Sequence, residues 1–118
     1  MKYLCLVVFD EKKLEAMSKA ELEALEVESL EFDESIRKSG HLIAAGPLQP
    51  VSATTTLRVQ HGKVSITDGP FAETNEQLGG FVLIDAKDLN EAIQVASKIP
   101  PARLGAIEIR PMRERRRL

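Results

Sequence analysis

Residues Tyr3 to Phe9 are apolar at every position, and no other feature of the chain restricts its fold so tightly. A strand sends alternate side chains to opposite faces, so an unbroken apolar strand needs cover on both. The run is too short to span a bilayer, and Asp10-Glu11-Lys12-Lys13 follows at once without a small-residue cleavage site. It therefore reads as a buried strand, neither a leader nor a membrane span. Gly80 to Asp85 repeats the pattern with Phe81, Val82, Leu83 and Ile84.

Helices fall between these strands. Ser18 followed by Glu21 has the form of a capping box and Gly40 supplies a stop, which predicts a helix from about Lys19 to Ser39. Its inward stripe is Leu22, Leu25, Ser29, Phe32 and Ile36, spaced three and four apart. His41 to Ala45 reads as a strand leading into Gly46-Pro47, and Thr54 to Gln60 with Lys63 to Thr67 flank His61-Gly62 like the arms of a hairpin. Asp88 with Glu91 repeats the capping pattern before a helix from Leu89 to Lys98, which Pro100 and Pro101 end. Leu104 to Arg110 alternates, and Pro111 stops it. The order is strand, helix, strand, hairpin, strand, helix, strand. That is α+β, a ferredoxin-like βαββαβ plan with an inserted β-hairpin.

A length of 118 residues suits one domain, placed at 1–112, with a basic tail at 113–118 expected to be disordered. Two helices cover one face of a four-stranded sheet, yet both apolar strands present two apolar faces. Burying a Leu, Val or Phe side chain is worth roughly 1.5 to 3 kcal/mol, so the second face is a strong drive to association. A second copy about a two-fold axis is the simplest cover, and a homodimer is expected. With 16 basic and 18 acidic residues the net charge is −2, and no whole-protein field draws the chain to nucleic acid or to an anionic membrane. The Arg-rich tail reads as solvated. Cys5 is the one cysteine, so no internal disulfide forms and a reducing, cytoplasmic location is expected.

The most distinctive stretch is Asp68-Gly69-Pro70-Phe71-Ala72-Glu73-Thr74-Asn75-Glu76-Gln77-Leu78-Gly79-Gly80-Phe81. Together with the opening Met-Lys-Tyr strand, Leu48-Gln49-Pro50, Ala53-Thr54-Thr55-Thr56, Ile84-Asp85-Ala86, Ile99-Pro100 and Glu108-Ile109-Arg110-Pro111, it resembles the YCII-related family, in the branch named for its Asp-Gly-Pro-Phe motif. The likeness runs from Met1 to Met112. It implies a bacterial protein in which two ferredoxin-like sheets pair into a dimeric α/β barrel. About activity it implies little, because fold is a poor guide to function. In the sister branch a helical histidine and an aspartate are a suggested catalytic pair; that histidine's place is taken here by Ser29, so the pair is broken. The branch's gene neighbours imply a second reading, a non-catalytic accessory of an extracytoplasmic-function sigma factor, using charged helix faces such as Glu21, Glu28 and Glu31.

The residues themselves offer a candidate set for a small-molecule cleft between the long helix and the sheet. Asp68 is the candidate base or anchor, with turn capping as its structural alternative. Ser29 interrupts the inward stripe, so its hydroxyl faces either a ligand or the carbonyl of Leu25. His41 is placed at the pocket rim, and His61 in a solvated turn. Glu76 adds a carboxylate. Arg110, ahead of Arg58 and Arg103, is the candidate for an anionic group, each with a surface ion pair as the alternative. The expected ligand is lactone-like or anionic. Two histidines and one cysteine without ligand spacing exclude a zinc-type set, and Glu73 and Glu76 near Asp68 are a weak signal for a hard cation. No metal, no cofactor and no phosphate loop is expected.

Overall fold

The computed structural model describes residues 1–115; residues 116–118, the end of the basic tail expected to be disordered, lie outside the described residues. The chain runs β1 (Lys2–Phe9), α1 (Glu11–Glu15), α2 (Lys19–Lys38), β2 (Leu42–Pro47), β3 (Thr55–Gln60), β4 (Lys63–Asp68), β5 (Gln77–Asp85), α3 (Leu89–Ala96) and β6 (Gly105–Pro111), with 3-10 turns at Val51–Ala53 and Pro100–Leu104. The strands β2-β5-β1-β6 form one antiparallel sheet in that order, and β3 pairs with β4 separately. This mixed α+β arrangement is consistent with the ferredoxin-like plan.

The local signals act where the residues place them. Ser18 accepts from the Glu21 amide while Glu21 returns a bond to the Ser18 amide, closing the capping box of α2. At α3 only half of the expected box forms. Asp88 accepts from the Glu91 amide, but the Glu91 carboxylate accepts from the Lys87 amide at 3.4 Å in place of the Asp88 amide and meets His41 at 2.9 Å. That helix also ends at Ala96, because Lys98 and Ile99 donate to Val95 and Ala96 in tighter turns that lead into Pro100. Asp10-Glu11-Lys12-Lys13, read only as a charged break, starts the short α1, with Asp10 accepting from the Lys12 amide.

The core lies between the sheet and the helices. Tyr3, Cys5, Val7 and Phe9 of β1 face it with Val82 and Ile84 of β5, against Leu25, Phe32 and Ile36 of α2 and Ala92 and Ala96 of α3. The alternate residues Leu4, Leu6, Val8, Phe81 and Leu83 turn to the other face and stay only half-buried. Register sets Leu4 against Leu83 and Leu6 against Phe81, so these side chains form one apolar surface. Both faces of β1 are therefore apolar, but the chain covers one of them with helices.

The ribbon β3–β4 packs on little beyond itself. It turns at His61-Gly62 with positive φ at both residues, 52° and 75°, the left-handed pair that a two-residue hairpin turn requires. Leu57 opposes Ile66 and Val59 opposes Val64 on one side, and all four are at least 58% exposed. The radius of gyration is 16.3 Å. A compact domain of this length has about 13.5 Å, so the chain is extended for its size.

Candidate functional site

A cavity of about 600 Å³ opens between α2 and the sheet. Val7, Phe9, Gly80, Val82 and Ala45 form its floor, and Leu22, Leu25, Ser29 and Phe32 line the helix side. Pro47, Leu48 and Pro50 close one edge, and Ile99, Pro100 and Pro101 another. Gly79 is the extra residue where the β1–β5 register slips, and a Cβ on it would overlap the Phe9 ring. The bulge and the missing side chain thus leave room for the Phe9 ring at the cavity floor. At the mouth, the Glu11 amide donates to Gln77 Oε1 at 2.9 Å and the Glu11 carboxylate accepts from the Val51 amide at 3.0 Å. Those two bonds hold the start of α1 against the first residue of β5 and the segment that follows β2.

The cavity wall is apolar with acidic groups at intervals: Glu11, Glu15, Glu26 and Asp33 line it, while no Lys, Arg or His does among the described residues. Asp33 is half-buried, and the loss of water pushes its carboxyl above the usual range. Ser29 stands between Glu26 and Asp33 on the same helix face. Its hydroxyl donates to the carbonyl of Leu25 at 2.8 Å, which leaves the oxygen as an acceptor toward the cleft.

Of the residues that the sequence assembles into a cleft, Ser29 lines this cavity and the others stand apart. His41 lines a second, smaller cavity of about 440 Å³ with Ser39, Glu91, Gln94 and Lys98. Its Nδ1 is 2.7 Å from Ser39 Oγ and its Nε2 is 2.9 Å from Glu91 Oε1. Serine, histidine and carboxylate are the residue types of an acyl-transfer triad, but the backbone amides beside them are engaged. The Gly40 and His41 amides donate to Arg37 and Ile36, and Ser39 Oγ itself donates to Ile36 at 3.1 Å. The trio joins the end of α2 to α3 as a clamp.

Asp68 is the last residue of β4 and is exposed; its carboxylate receives no hydrogen bond among the described residues, so the expected turn cap does not form. The turn is held by its neighbours. The Gly69 amide donates to Thr54 at 2.7 Å, Thr56 Oγ1 donates to the Gly69 carbonyl at 2.7 Å, and Arg58 lies 5.0 Å over the Phe71 ring. The Asp-Gly-Pro-Phe stretch thereby braces the foot of the ribbon. Glu76 is exposed just before β5. Arg110 lies opposite Leu4 in β6, on the sheet face away from α2, and Arg103 pairs with Glu28 at 2.6 Å. None of the three arginines lines the cleft. Glu26 and Asp33 were missed by sequence reasoning, although their spacing of seven places them on one helix face with Ser29. No group of three or more His, Cys, Asp or Glu suited to a metal ion occurs among the described residues.

Comparison with known proteins bears on the same question. The YCII-related domain matches residues 1–116. An uncharacterized protein of Rhizobium meliloti (strain 1021) is 38% identical over 114 residues, covering 95% of this chain and 92% of that protein. No helix among the described residues is long and apolar enough to cross a membrane. The extent of both matches leaves one conclusion on kinship: the chain belongs to the YCII-related family.

Proposed function

We propose that this protein binds a small molecule in the cleft between α2 and the sheet, and that it does so as a homodimer. The observation that carries the binding reading is the cavity itself: about 600 Å³, apolar, and floored by residues of three strands. Ligand sites of drug-sized molecules run from roughly 300 to 1,000 Å³ with mostly apolar walls and a few polar groups that orient the ligand. Ser29 and the carboxylates at intervals along the wall supply such groups. The Asp-Gly-Pro-Phe stretch supports a place in the family branch named for it.

Support for the homodimer comes from the apolar sheet face opposite the helices and from the exposed apolar side of the ribbon. Both are surfaces that a second copy would shelter.

A thermal-shift screen of metabolites tests the cleft. Compounds that raise the melting temperature of the wild-type protein are expected to lose much of that effect in Ser29→Phe, whose ring projects into the cavity, while the unliganded melting temperature stays close to wild type. Hits that stabilise that variant as well as the wild type would show that binding occurs elsewhere.

A further inference from the structure

We propose that the cleft takes an apolar ligand bearing a positive charge, an alkyl or aryl amine, with Glu26 or Asp33 receiving the cation; this rests on the cleft reading above. Position on the helix sets these two acids apart: of the seven acids of α2, they are the two that line the cleft. Glu23, Glu28 and Glu34, which do not line the cavity, each hold a cation: Lys19 at 4.0 Å, Arg103 at 2.6 Å and Arg37 at 2.6 Å. Glu26 and Asp33 line the cavity, and neither is paired with a cation among the described residues.

The two are seven residues apart, hence about two turns or 10.5 Å along the helix, with Ser29 between them. The wall around them is apolar, and α2 brings no lysine or arginine into it. An anion entering would meet charge of its own sign, with no lysine, arginine or histidine in the lining to offset it. A neutral ligand would displace water from the carboxylates and return at most an uncharged hydrogen-bond donor. An ammonium group replaces that water with a charge-assisted hydrogen bond, while its hydrocarbon body covers Phe9, Leu25 and Val82. The half-buried position of Asp33, where loss of water already disfavours the carboxylate, fits a site completed by an incoming cation. The anionic ligand weighed from the sequence looked to Arg110, Arg58 or Arg103 for its partner, and none of the three lines the cleft.

The test is calorimetric titration with phenethylamine, phenethyl alcohol and phenylacetate, which share one aryl body and differ in charge. The amine is expected to bind about fivefold or more tightly than the alcohol, the scale of one or two partly screened ion pairs, and phenylacetate is expected to bind least. In the double variant Glu26→Gln, Asp33→Asn the amine should fall to the alcohol's affinity while the alcohol is unchanged. Added salt should narrow the gap in the wild-type protein. An alcohol that binds as well as the amine, or an amine preference that survives the double variant, overturns the charge selection and leaves the cleft as a neutral apolar site. Binding of none of the three, or binding that Ser29→Phe does not reduce, overturns the cleft reading together with it.

Discussion

Cys5 lies at the centre of β1 with no exposed surface, and burial pushes its thiol from an ordinary 9.0 to about 11. The thiolate is the attacking species, so the folded chain should resist alkylation. Iodoacetamide at neutral pH is expected to label Cys5 only at the rate at which the protein unfolds, as read by mass spectrometry along a denaturant series; fast labelling of native protein would contradict the burial. The same shift has a consequence for stability. A group whose folded pKa is raised contributes fully below its unfolded value and loses that contribution as pH rises through the folded one. The denaturant midpoint should therefore fall between pH 9 and 11 more steeply than in Cys5→Ala, which has no thiol to titrate. Equal slopes would assign the alkaline loss to other groups.

At the scale of elements, the clamp of Ser39, His41 and Glu91 joins the end of α2 to α3. The Glu91 carboxylate was expected to close the capping box of its own helix, and the structure diverts it fifty positions back along the chain. Glu91→Gln or His41→Ala should each cost about 1 kcal/mol, the scale of one hydrogen-bonded and partly exposed pair. The double variant should cost less than the sum, because either change alone removes the shared contact. Additive losses in urea unfolding would mean that the two side chains are not coupled. The helix ends, the strand alternation and the two-residue turn were legible in the residues because each is settled by groups within a few positions of one another. The role of Glu91 was not, since it is decided by which helix end comes to lie beside it. Glu26 and Asp33 were not singled out for the same reason: which carboxylates of a helix border a cleft is undecided until the sheet beneath it is in place.

The whole molecule carries two unsheltered apolar surfaces, the sheet face of Leu4, Leu6, Phe81 and Leu83 and the ribbon side of Leu57, Val59, Val64 and Ile66. Stable protein interfaces bury about 800 Å² from each partner, and a continuous sheet face is a natural centre for one. Light scattering is expected to give twice the chain mass of 13.0 kDa at micromolar concentration, and Leu6→Glu to give the single mass, since a carboxylate at the middle of the face would be desolvated without a partner. A wild-type protein that stays monomeric would remove the homodimer. Amine binding retained by a folded monomeric Leu6→Glu would show that the cleft is complete within one chain.

The order of elements, the capping of α2, the ribbon with its His-Gly turn and the doubly apolar character of β1 and β5 were determined by the sequence alone, because periodicity, capping residues and turn residues act over short range. The location of Asp68, Arg110 and His41 away from the cleft, and of two acids within it, was decided only by tertiary structure. Strand register and the angle at which a helix crosses a sheet choose which distant side chains share a cavity, and that choice is made by packing between elements far apart in the chain.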